Sequence, residues 1–378
     1  MTSRERLLAS YAHKPVDRIP CSPRMAAWML DHYGNGESAT YLKAQQEFGF
    51  DIHTMCDPFR NPLMLGAGVF SDEATGVEGR QEERTEGEYR VVRRTFQTPD
   101  GTLSDETRFP PAGDRRYGVF PNPVRTEYLV KDRSDLKALR RLLEDPDRAV
   151  PQYFQDVERE IGDSGLVMFQ VCSSLCHRAG DAYHFPDLMV LYYDDRAFFD
   201  ELLALCRRTM MEELEVAIRA GVKHFFGFWY YNSLSAGWSP AMWRECFKAE
   251  LADMMRRIHA AGGTLNLYDD GKVMPILDDL AECGIDVLQT LCPPPMADVD
   301  LAEAKRRIGD RVCLWGYVDL VNVIQRGTPA LIERTVREAI ETAGPTGFVL
   351  GSSDSIRDGT PVENVRAYFD AARKYGSL

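Results

Sequence analysis

From residue 165 to the end, short apolar runs alternate with longer stretches in which apolar residues recur every three or four positions. The runs "GLVMFQVC", "VKHFFGFWY", "TLNLY", "IDVLQTL", "RVCLWGY" and "GFVLGS" have the length and β-former content of buried strands. The stretches between them, such as "PAMWRECFKAELADMMRRIHAAG" and "PALIERTVREAIETAG", predict helices, several ending in the glycine expected of a left-handed cap. The same alternation opens the chain. "SRERLLASYAH" predicts a helix with Ser3 as N-cap, "RIPCSP" a short strand, "ESATYLKAQQEFGF" a helix and "DIHTMC" a second strand. Strands near Ile19, Ile52, Val167, Lys223, Leu265, Val287, Val312 and Val349, each followed by a helical stretch, predict an α/β fold, a (β/α)8 TIM barrel. An open doubly wound sheet would need a phosphate-binding glycine fingerprint after a strand, and none is present.

One region breaks the rhythm. "GEYRVVRRTFQTPDGTLSDETRF" alternates β-formers around the turn "TPDG", which predicts a β-hairpin over residues 77–111 inserted after the second strand of a single domain, 1–378. Composition narrows the setting. A formal net charge of −13 disfavours nonspecific attraction to nucleic acid or anionic membranes. Nine cysteines without a CxxC pair, behind an opening that lacks a signal peptide, point to a reduced, cytoplasmic protein. No apolar run approaches the roughly 20 residues of a membrane helix.

In a barrel of this kind the chemistry sits at the C-terminal ends of the strands. That rule selects Arg24 after the first strand, Asp57 after the second, and Cys172, Ser173 and Ser174 after the third. It adds Trp229, Tyr230 and Tyr231 after the fourth, Tyr268, Asp269 and Asp270 after the fifth, and Gln289 in the sixth. Tyr317 and Asp319 follow from the seventh strand, and Ser352, Ser353 and Asp354 from the eighth. Three or four acids, Asp57, Asp270, Asp354 and as the fourth Asp319, would converge on one mouth, which suits either a divalent metal or a proton-transfer site in which one acid stays protonated. An aspartate ahead of a helix is also a common N-cap, the plainer reading for Asp269 and for Asp319 before "LVNVIQ". Cys172, Cys176 and His177 in "VCSSLCHRAG" do not have a standard zinc spacing, and cysteine is usually a small buried hydrophobe. His184 lies in a loop on the same face and is a ligand contact candidate, whereas His224 lies within a strand and reads as structural. The Trp229–Tyr231 aromatics and Tyr317 would wall a pocket for a flat or apolar substrate.

Several of these segments together resemble a known family. "RERLLASYAHKPVDRIP", "LYDDGKVMPILDDLAECGIDVLQTL", "LAEAKRRIGDRVCLWGYVDL" and "GTPVENVRAYFDAARKYG" resemble, in this order, the uroporphyrinogen decarboxylase superfamily. The resemblance implies a barrel enzyme, commonly a homodimer, of one of two branches. In the decarboxylase branch, which is cofactor-free, an arginine-rich loop ending in Gly-Arg-Tyr grips substrate carboxylates. Here "CSPRMAAWMLDHYG" keeps only Arg24, and of that branch's catalytic positions only the aspartate, at Asp57, is matched. In the methyltransferase and O-demethylase branch a His-x-Cys-Gly motif and a late cysteine hold zinc. Those positions read Tyr268, Asp270 and Asp354 here, an oxygen set that implies a harder divalent ion or a replacement for the metal. The resemblance thus leads to methyl transfer or demethylation of a small methylated substrate, with a corrinoid on a partner protein as acceptor. A metal-independent carboxy-lyase is the alternative, and a non-catalytic ligand-binding barrel the second.

Overall fold

The computed structural model describes residues 1–56, 59–113, 121–173, 175–228 and 233–378, and of residues 172–173, 175–176 and 228 the backbone alone. The chain divides into two compact units, residues 1–57, 151–171 and 221–378 in one, and 58–150 with 172–220 in the other.

The first unit is built on seven parallel strands in sequence order: Ile52–Cys56, Gly165–Ser173, His224–Phe228, Thr264–Tyr268, Val287–Leu291, Cys313–Val318 and Phe348–Ser352. Parallel neighbours joined through helices are buried on both faces, and the burial shows it: every residue of Val287–Leu291 and Phe348–Ser352 is inaccessible. The curled parallel sheet with its helices is the barrel-like α/β arrangement that the alternating pattern predicts. The strand expected near Ile19 forms no ladder. Cys21 makes one parallel bridge to Leu350; Ser22 N donates to Leu350 O at 2.8 Å, Leu350 N to Pro20 O at 2.9 Å, and Asp51 N to Cys21 O at 2.8 Å. Residues 20–22 therefore link the two outermost strands of the sheet. Pro20 and Pro23 flank this contact and have no N–H to donate, so the pairing cannot lengthen.

The helix Ser3–Tyr11 begins with a capping box between Thr2 and Glu5 and lays Leu7 and Tyr11 against Leu166, Val287, Cys313, Trp315 and Val349. This apolar layer fills the sheet's interior at the end remote from the candidate site. A second, nearer layer consists of Met168, Phe226 and Tyr268.

In the second unit the expectation of a hairpin over 77–111 is replaced by a larger element. Ser71–Asp72, Val77–Glu86, Tyr89–Thr98, Gly101–Phe109 and Val124–Glu127 form a five-stranded antiparallel sheet in sequence order. The turn "TPDG" does join two of these strands, with Thr98 opposite Gly101. What the local pattern did not carry is the cross-strand cement: Arg94 faces Asp105 directly, both buried, with Nε to Oδ1 at 2.9 Å. Among the described residues no helix is long and apolar enough to cross a membrane.

Candidate active site

The site is built outward from the interior of the first unit. His53, on the strand Ile52–Cys56, lies 2.8 Å from Ser22 Oγ through Nδ1 and 3.2 Å from Gln289 Nε2 through Nε2. Ser22 Oγ donates to the Asp51 carbonyl, so the imidazole donates from Nδ1 and accepts from the Gln289 amide at Nε2. The Trp315 ring meets His53 edge-on at 4.4 Å and anchors its own Nε1 on Ser22 O at 2.9 Å. The indole runs so close to Gly351 that a Cβ there would lie 2.7 Å from it. Burial, with the Arg24 charge adding to it, pushes the His53 pKa down to about 3, so this histidine is a neutral spacer and not an acid.

Above this layer Tyr268, the last residue of the strand Thr264–Tyr268 and wholly buried, carries its phenol into a pair of carboxylates. The hydroxyl lies 2.9 Å from Asp354 Oδ1 and 3.3 Å from Asp270 Oδ2. The Arg24 guanidinium covers the same ring, its central carbon 4.4 Å from the Tyr268 centroid and 5.9 Å from that of Phe226. One guanidinium nitrogen is 3.8 Å from Asp354 Oδ1. Asp354 also accepts from Ser355 N at 2.6 Å. Burial raises the Asp270 pKa, and the neighbouring Asp354 charge raises it further, against smaller opposing contributions from Tyr268 and Arg24.

The second carboxylate of the "DD" pair faces elsewhere. Asp269 accepts from Gly271 N at 2.9 Å and its own N donates to Gln289 O at 3.2 Å. Burial pushes its pKa up to about 7, against a hydrogen bond from Ser233. Glycine after the pair leaves room for Ser233, since a Cβ at Gly271 would lie 1.9 Å from Ser233 Oγ and force that hydroxyl to move.

Of the residues selected from the sequence, Arg24, Tyr268, Asp270 and Asp354 come together. Asp57, Trp229, Tyr230 and Tyr231 lie outside the described residues. Tyr317 does not join the cluster: it lines a cavity of about 360 Å³ with Asp300, Leu301, Thr335 and Glu338, and its phenol meets the backbone at Leu301. Asp319 is the cap that its position suggests, accepting from Val321 N and Asn322 N, each at 2.8 Å. His184 belongs to the second unit, where it is exposed, pairs with Asp187 at 2.9 Å and packs on Tyr128. His177, also in that unit, pairs with Asp181 at 3.3 Å. Sequence reasoning passed over Cys292, one residue past the strand Val287–Leu291. Burial pushes this thiol up to about 11; Ser353 hydrogen-bonds to it, and Asp319, Asp270 and Asp354 lie close enough to act on it electrostatically. The signal available was only its place at a strand's C-terminal end.

The residues at the zinc positions of the methyltransferase branch do not fit that metal. Zinc used to activate a thiol takes Cys and His ligands, whereas Tyr268, Asp270 and Asp354 offer only oxygen. A guanidinium already faces Asp354. Among the described residues no three His, Cys, Asp or Glu side chains are placed to hold a metal ion.

Residues 167–375 match the family model described as uroporphyrinogen decarboxylase (URO-D). The uroporphyrinogen decarboxylase of Thioalkalivibrio sulfidiphilus is 25% identical over 392 residues, covering 98% of this chain and 98% of that protein. The chloroplastic enzyme of Zea mays is 26% identical over 223 residues, 58% of this chain, which spans 54% of the maize protein's length. Among solved structures, a methyltransferase from Methanosarcina mazei superposes with a TM-score of 0.65 at 18% identity, covering 99% of both chains, a likeness of fold.

Proposed function

The chain belongs to the uroporphyrinogen decarboxylase family, and from that premise we propose that it is a methyltransferase-type member, moving a methyl group from a small neutral or cationic donor to a corrinoid carried by a partner protein. The observation that carries this reading is the charge of the mouth. Asp270 and Asp354 share the Tyr268 phenol, and the guanidinium that covers them is already turned to Asp354. A porphyrinogen bearing many carboxylates would find, among the described residues, one guanidinium to meet its anions, already turned to Asp354, while a neutral ether or an amine needs none. Methyl groups on a neutral heteroatom leave well only when the heteroatom is protonated, and Asp270 is the acid whose environment favours keeping a proton. With a neutral donor the carbon–heteroatom bond pair stays on the heteroatom, which takes the Asp270 proton as the methyl group departs to the acceptor; with a cationic donor the bond pair neutralises the heteroatom and no proton is needed. Tyr268, hydrogen-bonded to both carboxylates, holds them in register for that transfer.

Purified protein mixed with a panel of methoxy, methylamino and methylthio compounds and a reduced corrinoid tests the reading through the change in corrinoid absorbance. Turnover with at least one donor is expected, with Asp270→Asn lowering it about 10²–10⁴-fold. Silence across the panel, together with carbon dioxide release from a carboxylated substrate, would move the assignment to the carboxy-lyase reading. The observation that favours this second reading is Arg24, a side chain able to hold a single carboxylate beside Asp354.

A further inference from the structure

We propose that Arg24 supplies the site's positive charge in place of a metal ion, so that Tyr268, Asp270 and Asp354 act as a proton-bearing cluster around a fixed guanidinium and not as ligands. The inference rests on the proposed placement of the reaction at these residues and goes beyond it by assigning their counter-charge.

Three observations carry it. Arg24 is fixed: its side chain is only 15% exposed, its guanidinium is stacked over Tyr268 at 4.4 Å, and its backbone oxygen accepts from Ile356 N at 2.7 Å. The guanidinium nitrogen approaches, at 3.8 Å, the same Asp354 oxygen that takes the Tyr268 hydrogen bond. A divalent ion held by these oxygens would stand next to a cation that cannot lose its charge, since a guanidinium stays protonated in proteins. Finally, the phenol oxygen stands 2.9 Å from Asp354 Oδ1 and 3.3 Å from Asp270 Oδ2 as a hydrogen-bond donor, and a metal-bound tyrosine would have to give up the proton it donates. Arginine is suited to the task because its charge is spread over a plane that lies flat on an aromatic ring, which a lysine's compact ammonium does not reproduce.

The test is metal binding, read without any methyl donor. Wild type, Arg24→Met, Asp270→Asn and the double variant are stripped with chelator, checked for folding by thermal unfolding, and titrated separately with manganese and zinc by calorimetry, with elemental analysis after dialysis. Wild type is expected to bind neither ion at this site. Arg24→Met is expected to bind manganese at least tenfold more tightly than wild type, and the double variant to lose that gain. Wild type that holds near-stoichiometric metal, released by Asp270→Asn, would overturn the proposal. So would an Arg24→Met protein that folds and binds no better than wild type. The two readings fail separately: metal-free wild type without methyl turnover removes only the reaction assignment, and metal-loaded wild type with turnover removes only this one.

Discussion

At the scale of single residues, Asp269 shows how far burial changes an acid that a sequence presents as a mere spacer. Its carboxyl is 4% exposed and its pKa is pushed up to about 7. An unfolded chain would ionise it near 3.8. Between those values the native state holds a proton that the unfolded state has lost, so stability is fully present below about 3.8 and falls as pH rises toward 7, by about 1.4 kcal/mol per unit. Asp269→Asn keeps an oxygen to accept from Gly271 N and removes the titration. Urea unfolding at pH 5 and pH 8 should therefore show wild type losing more stability than the variant over that interval; parallel losses would refute the assignment. The same residue marks a boundary of sequence reading. The strand end, the aspartate pair and the glycine after it were all legible; the helix-capping role expected of Asp269 is not what it does, since it accepts from Gly271 N within the turn while Val273 N and Met274 N donate to Asp298. The near-neutral pKa of Asp269 was not legible, because that comes from burial under segments distant in the chain, Ser233 among them, whose own hydrogen bond pulls the other way.

Individual elements tell a parallel story with the strand Val287–Leu291. Its apolar run was plain in the sequence, and its neighbours are those expected of consecutive parallel strands. Hidden there was an irregularity: pairing with Cys313–Val318 shifts between Gln289 and Leu291, and Thr290 takes φ +69° while 1% exposed. A β-branched residue is a poor occupant of the left-handed region, and this one also buries a hydroxyl without a hydrogen-bond partner. Such strain is of order 1–3 kcal/mol, and the added chain entropy lost by glycine is about 0.5–1 kcal/mol. Thr290→Gly should thus raise stability by about 1 kcal/mol, measured as a higher urea midpoint at unchanged slope. A lower midpoint would mean that the threonine methyl's packing outweighs the strain. The irregularity lies inside the site's lining, between Gln289, which meets His53, and Cys292, which meets Ser353. Periodicity reads the strand but not the bulge, since a one-residue shift leaves the apolar pattern intact. The short first strand escaped for a related reason: "RIPCSP" has strand-like residues, but its prolines stop the ladder after a single bridge.

Over the first unit as a whole, the question becomes what holds together the sheet's outermost strands when residues 20–22 contribute so little pairing. The structure answers with a buried charge. Asp51, wholly inaccessible, accepts from Arg6 Nη1 at 2.6 Å, from both terminal nitrogens of Arg18 at 2.9 Å and from Cys21 N at 3.0 Å. One carboxylate thereby joins the N-terminal helix, the linking segment and the strand Ile52–Cys56, two residues before the imidazole of the polar layer. Arg6 has a second partner, Asp17, at 2.6 Å, but that aspartate's side chain is 41% exposed. The two acids consequently differ in weight. Removing one member of a buried ion pair leaves the other desolvated and costs about 3–5 kcal/mol, while an exposed pair is worth about 0–1 kcal/mol. Asp51→Ala should lower the unfolding free energy by about 3–5 kcal/mol, and Asp17→Ala by clearly less, since water reaches Asp17 and Asp51 still pairs with the Arg6 guanidinium, both read from urea unfolding followed by tryptophan fluorescence. Equal costs would mean that Arg6 is held mainly at the surface, and the closure of the sheet would then have to be sought in the apolar packing of Leu7 and Tyr11 instead. The expected inequality places the closure at Asp51. Because Arg24 follows the same linking segment, that carboxylate would then also fix where the guanidinium enters the site.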